Sequence, residues 1–237
     1  MSDVQFFENE NGITAYKQTV TGSDVGVFFL SGHRTTFDNQ KRRDITSFCA
    51  AHDVSLTHFT YGGWDQSSLK NVPSHGEGYV QDWFDQALNL FDHKTTGKHI
   101  IMGSSMGGYM ALALAHARPD RVVGVGLMAA GFGKSLTQQI HDHYGENRVG
   151  TKTEKGFTYN VNPDGSLPIN GTLNIQCPVR LRHSVADEIV SYRNAEYIAN
   201  AVATDDVIMT LTKFGGHSAN DPRDVQWLHN TLRELAL

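Results

Sequence analysis

The residues able to do covalent chemistry in this chain are a serine, an aspartate and a histidine, each placed after a stretch that reads as a strand. Gly103, Ser104, Ser105, Met106 and Gly107 form the pattern G-x-S-x-G. Apolar Ile100, Ile101 and Met102 precede it, and small and apolar residues at helical spacing follow to about His116. Strand, sharp turn, helix is the setting that lifts a serine oxygen clear of a sheet. Side chains at Gly103 and Gly107 would crowd so tight a turn, and Ser105 is expected in a strained backbone conformation. A serine hydroxyl attacks a carbonyl when a neighbouring base takes its proton, and a buried carboxylate best orients that base. Asp187 lies just past the stretch 178–182, and His217 follows Gly215 and Gly216 after the stretch 207–212. Ser105, Asp187 and His217, in that order, are the expected triad. Glu188 is the adjacent rival for the acid; Asp205 and Asp206 are weaker because they precede the last strand.

Negative charge developing on a carbonyl oxygen needs fixed donors. One is expected from the backbone N–H of Met106, at the start of the helix after Ser105. The other is expected from His33, with Arg34 as the alternative, in the loop after the first internal strand. The Arg34 side chain is placed to pair with an anionic substrate group or to make a surface salt bridge. Trp64 either borders the substrate entrance or packs internally. His141 and His143 have metal-ligand spacing, but the remaining ligands are missing. Gly62, Gly63, Gly76 and Gly78 do not spell a phosphate-binding loop. No metal and no cofactor is expected.

The elements that must position these groups follow from periodicity. Residues 4–8 and 12–18 read as strands joined around an Asn-Gly turn. Val25–Leu30 and Val122–Met128 are continuous apolar runs, which suit strands covered on both faces. Between them lie a helix to about Ala51, capped by Asp38 or Asn39, and a strand over 53–59. A helix carrying Tyr79, Trp83, Phe84, Ala87, Leu88 and Phe91 follows, then the strand at 98–102. Strand and helix alternating at this spacing imply a mostly parallel sheet with right-handed crossovers. Later come a strand at 178–182, a helix near 191–202, a strand at 207–212 and a final helix over 221–235. Residues 131–171 lose periodicity apart from an amphipathic candidate at Leu136–Tyr144. They are expected to form a small lid inserted after the strand at 122–128, within one domain spanning 1–237.

With 237 residues, the chain can bury a full core as one domain. A formal net charge of −5 and the lack of a basic block argue against nucleic acid as a partner. The short run Lys41, Arg42, Arg43 fits the exposed face of a helix. No apolar run is long enough to span a membrane. Cys49 and Cys177 are too few for a disulfide framework and are expected reduced in the core. A polar, acidic start unlike a signal or transit peptide points to a cytoplasmic location.

On these motifs the chain resembles the α/β-hydrolases across nearly its full length. It is more particularly similar to the branch of the mitochondrial acyl-protein thioesterase that also cleaves acyl-glucuronides, with its bacterial relatives. The matching pieces are Phe29 to His33, Phe59 to Trp64, Gly103 to Gly108, and Cys177 to Leu181 leading into His183 and then Asp187 to Val190. The resemblance implies Ser105 as nucleophile, Asp187 as orienting acid and His217 as base. It also implies ester or thioester substrates with a modest acyl group, and no cofactor. Three positions depart from the branch: Ser184 replaces a glycine, Ser191 replaces a proline, and His33 replaces an aromatic residue or leucine. Acyl transfer, or cleavage of a lactone, an amide or a carbon–carbon bond, would use the same triad. A binding protein that has lost activity is the remaining alternative.

Overall fold

The computed structural model describes residues 4–9, 12–32, 35, 37–61, 80–132 and 172–237. Among the described residues, eight strands form one sheet in the order β1-β2-β4-β3-β5-β6-β7-β8. They are β1 (Gln5–Asn9), β2 (Gly12–Thr19), β3 (Val25–Leu30), β4 (Leu56–Thr60), β5 (Lys98–Ser104), β6 (Val122–Met128), β7 (Val179–Ser184) and β8 (Val207–Thr212). The hairpin β1–β2 is antiparallel and β2 pairs antiparallel with β4, whereas every pair from β4 to β8 is parallel. The helices are α1 (Gln40–Ala51), α2 (Val80–Lys94), α3 (Met106–Ala117), α4 (Arg193–Ala201) and α5 (Pro222–Ala236). This is the α/β-hydrolase fold. The turn at residues 10–11, the expected Leu136–Tyr144 helix and nearly all of the expected lid lie outside the described residues.

The apolar runs of the central strands serve two cores. Val27 and Phe29 of β3 pack with Ile45 and Phe48 of α1 and Leu228 and Leu232 of α5. Phe28 and Leu30, one residue out of phase, pack on the other face with Leu90 and Phe91 of α2 and the length of α3. Phe28 meets Phe91 edge to face at 5.3 Å. Full burial of each such ring stabilises the fold by about 1.5–3 kcal/mol, so both layers hold the sheet rigid beneath the site. Trp83 is a core residue of the α2 face.

Helix starts agree with their chemistry. The Asn39 side chain accepts from the Arg42 N–H at 3.1 Å and caps α1. Asp221 and Asp224 form a reciprocal capping box on α5, with Pro222 in the first turn.

The basic run on α1 is not a solvent face. Arg42 is buried and donates to the Ser31 hydroxyl at 2.7 Å and to the Phe59 carbonyl. Lys41 donates to the Ser218 carbonyl, in the loop after β8. Only Arg43 is exposed. Both cysteines are free; Cys49 is buried and Cys177 packs against the core edge. Burial pushes their thiols up to about 12 and about 11. Since the thiolate is the reactive form, iodoacetamide at pH 7.5 should leave both cysteines unmodified in folded protein and alkylate both after denaturation, as read by mass spectrometry.

Candidate active site

Ser105 joins β5 to α3 with φ 57° and ψ −125°, a conformation that costs a non-glycine residue of order 1–3 kcal/mol. The surroundings impose it. The Ser105 N–H donates to the Met128 carbonyl of β6 at 2.9 Å, and its carbonyl accepts from the Gly108 N–H at 2.9 Å. A Cβ on Gly103 would come within 2.5 Å of the Gly107 carbonyl oxygen, and one on Gly107 would collide with the carbonyls of Leu30 and Ser31. Bare backbone at both positions lets α3 start directly over the sheet.

Asp187 follows β7 and its carboxylate is completely buried. Oδ1 accepts the backbone N–H groups of Ile189 at 2.9 Å and Val190 at 2.8 Å. His217 Nδ1 lies 2.9 Å from Oδ2, and His217 Nε2 lies 3.0 Å from Ser105 Oγ. A carboxylate only accepts, so Nδ1 carries the proton and the Nε2 lone pair of the neutral ring faces the serine hydroxyl. The rival acids are placed elsewhere: Glu188 and Asp205 are exposed, and Asp206 pairs with Arg180 at 2.7 Å.

A second histidine touches the acid. His183, buried at the end of β7, has Nε2 at 2.9 Å from the Val190 carbonyl and 3.2 Å from Asp187 Oδ2. Both neighbours are acceptors, so Nε2–H is a shared donor. Burial raises the Asp187 pKa, but hydrogen bonds from His183 and His217, the imidazole charge and the Val190 N–H outweigh it and hold the carboxyl well below the usual carboxylate range. A depressed carboxyl stabilises the fold above its unfolded pKa, and that contribution is lost as pH falls through the folded value. Acidification to about pH 5 therefore leaves Asp187 ionised. His183→Ala should lower kcat by about tenfold to a hundredfold, the worth of one hydrogen bond to a charged group, with little change in KM. It should also move the acid limb of the pH–rate profile upward, as steady-state kinetics across pH would show.

Two buried charges and a partly buried lysine hold the loop that carries His217. Gly215 and Gly216 have φ of +82° and +50°, which turns the chain back toward the sheet. Arg182 of β7 donates to the Phe214 carbonyl at 2.9 Å and forms a fully buried ion pair with Asp224 of α5. Burial works against both charges, lowering the Arg182 pKa and raising that of Asp224. A Cβ on Gly215 would collide with both side chains. Lys41, which burial pushes down to about 8, anchors the loop's far end through Ser218. Sequence reasoning placed Lys41 on an exposed helix face and gave Arg182 and Asp224 no role. The available signal was Arg180 and Arg182 inside the strand at 178–182, since arginines buried in a sheet require acids.

Met106 opens α3, immediately after Ser105, as expected. Gly32 lies beside the serine: a Cβ there would sit 3.1 Å from Ser105 Cβ, so the loop after β3 borders the site. His33, Arg34 and Trp64 lie outside the described residues, as do His141 and His143. Among the described residues no cluster of three or more His, Cys, Asp or Glu side chains could hold a metal. No described helix is long and apolar enough to cross a membrane.

The sequence pattern of the prolyl oligopeptidase family matches residues 73–235. Among curated proteins, the chain is 29% identical over 238 residues to the mitochondrial palmitoyl-protein thioesterase ABHD10 of Rattus norvegicus, covering 93% of this chain and 78% of that protein. The Homo sapiens counterpart is 26% identical, with 93% and 76% covered. The solved structure of mouse alpha/beta hydrolase domain-containing protein 10 superposes with a TM-score of 0.79 at 22% identity, covering 99% of this chain and 98% of that one. A putative hydrolase from Agrobacterium vitis S4 also gives 0.79, at 24% identity with 100% and 99% covered. The chain is thus a serine hydrolase with a Ser-His-Asp arrangement, close to the ABHD10-like branch. The cytoplasmic expectation is corrected: these curated relatives are mitochondrial by name. Free cysteines suit any reducing compartment and so do not select the cytoplasm.

Proposed function

We propose that this chain, which belongs to the prolyl oligopeptidase family within the α/β-hydrolase superfamily, cleaves fatty-acyl thioesters or esters through an acyl-enzyme on Ser105. The line of hydrogen bonds from Asp187 through His217 to Ser105 carries the proposal. Ser105 Oγ attacks the carbonyl carbon while His217 Nε2 takes its proton. The oxyanion is held by the N–H groups of Met106 and His33. As the tetrahedral adduct collapses, the thiol or alcohol leaves with the proton from His217. Water, deprotonated by the same nitrogen, then attacks the acyl carbon and frees the acid, restoring Ser105. Asp187 holds the imidazole in the working tautomer and stabilises its charged form. Arg34 and Trp64 contact the substrate in this scheme, and residues 131–171 serve as the lid that selects the acyl group.

The thioester preference draws support from the palmitoyl-protein thioesterase relatives. The peptidase family match favours a second reading, hydrolysis of an amide. An amine is a poorer leaving group than a thiol, so it demands more of His217 as a proton donor. The deciding experiment compares kcat/KM for S-acyl thioesters of graded chain length, the matching oxygen esters and a prolyl anilide, each with Ser105→Ala as control. The proposal expects Ser105-dependent turnover of a long-chain thioester at least about a hundredfold above the anilide, a preference of about 2.7 kcal/mol in activation free energy. Anilide turnover above thioester turnover would overturn it in favour of the amide reading.

A further inference from the structure

The edge strand β8 ends the sheet among the described residues and lacks the usual protection of an edge. Sheet edges are ordinarily blunted by charge, proline or a bulge because they template further pairing. Val207 to Thr212 contains no charge and no proline, and its ladder with β7 runs without a bulge. Ile208, Met209 and Leu211 are 52%, 38% and 41% exposed. Tyr197, on α4 beside β7 and β8, is 54% exposed as well. The opposite edge, β1, carries Glu8 within its strand.

We infer that β8 pairs antiparallel with β8 of a second copy of this chain, about a two-fold axis at Met209. The backbone limits the register to one centred on a residue rather than between two. The carbonyls of Asp206 and Thr212 accept from Val179 and Val185 of the β7 side. In a parallel ladder alternate residues face the same neighbour, so the even-numbered residues face β7 and Val207, Met209 and Leu211 face outward. A two-fold antiparallel pair must match outward residues with outward residues. Centring it on Met209 does so along the strand: Met209 opposes its own copy, and Val207 opposes Leu211.

Charge selects the same arrangement. The uncharged run is flanked by exposed Asp205 and Asp206 on one side and exposed Lys213 on the other. In the Met209-centred register each Lys213 faces Asp205 of the other copy, at both ends of the pair. A parallel arrangement would set acid beside acid and lysine beside lysine. Cross-strand opposite charges support a pairing and like charges oppose it. On the strand face that carries them, Met209 and Leu211 would meet Met209 and Val207 of the other copy and leave water.

Sedimentation velocity over about 1–100 µM, near the range of ordinary reversible dimers, reads the prediction directly. Wild-type chain should sediment as a dimer at the upper end. Met209→Lys sets two ammonium groups opposite each other at the axis and should weaken association by at least about tenfold, while ester hydrolysis per chain stays within twofold of wild type. Lys213→Glu and Asp205→Lys should each weaken the dimer, and combining them in one chain should restore it. Met209→Cys should form a disulfide with its own copy under mild oxidation, since opposed strand residues lie within bridging distance. A wild type that stays monomeric throughout overturns the inference, as does a dimer indifferent to Met209→Lys. A heterologous protein taking up this edge in place of the second copy overturns it too.

Discussion

Ser105→Ala should lower kcat for acyl-thioester hydrolysis by about a millionfold, the loss seen when a triad serine is removed elsewhere. The hydroxyl is the only atom in the arrangement that can form the acyl bond, and His217 Nε2 at 3.0 Å has no other described proton to take there. What remains is the contribution of oxyanion donors and binding, roughly a thousandfold to ten-thousandfold over water. The fold should survive. The strained backbone at Ser105 is set by the Met128 and Gly108 hydrogen bonds, which involve no side-chain atom of Ser105. Circular dichroism melts of the two proteins should therefore agree within a few degrees, while thioester assays differ by orders of magnitude.

Asp187→Asn should lower kcat by about ten-thousandfold, for a reason of tautomers. In the wild type both His217 Nδ1 and His183 Nε2 donate to the carboxylate. An asparagine can keep its oxygen on the N–H groups of Ile189 and Val190, where Oδ1 sits now. Its amide nitrogen then faces the two imidazoles and donates to His217 Nδ1. That forces the proton onto Nε2, so the ring presents a donor to Ser105 and cannot accept from it. The same amide opposes the His183 N–H, donor against donor. The loss should fall on kcat and on the rate of reaction with a fluorophosphonate, with KM little altered. Retention of a tenth of wild-type activity would place the general base outside this hydrogen-bonded line.

Much of this fold is legible in the sequence because the strands that matter are covered on both faces. Val25–Leu30 and Val122–Met128 have the bounds their patterns indicate, and so does Val207–Thr212, an apolar run that lies half exposed at the sheet edge. The β4 strand starts at Leu56, later than the alternation from residue 53 suggests, because Asp53 adopts a left-handed conformation with φ 55° in the preceding turn. Ser105, Asp187 and His217 can be read as a set because each follows a strand and two are marked by glycines. The charges behind them cannot. Arg42 is buried against Ser31 and Phe59, and Lys41 is partly covered by the loop at Ser218, and none of these partners is near in sequence. A basic triplet on a helix looks alike whether it faces water or three tertiary acceptors. His183 is hidden for a similar reason: its role depends on the turn that brings Asp187 back over the end of β7.

Reaction with a fluorophosphonate, mapped by mass spectrometry in wild type, Ser105→Ala and His217→Ala, tests the central claim most directly. An activated serine reacts irreversibly with this probe whatever the natural acyl group, so the result does not depend on guessing the substrate. The account predicts one adduct per chain, on Ser105, absent in Ser105→Ala and slowed by several orders of magnitude in His217→Ala. Folded wild-type protein that takes up no label at pH 8, or takes it up at another residue, would contradict it.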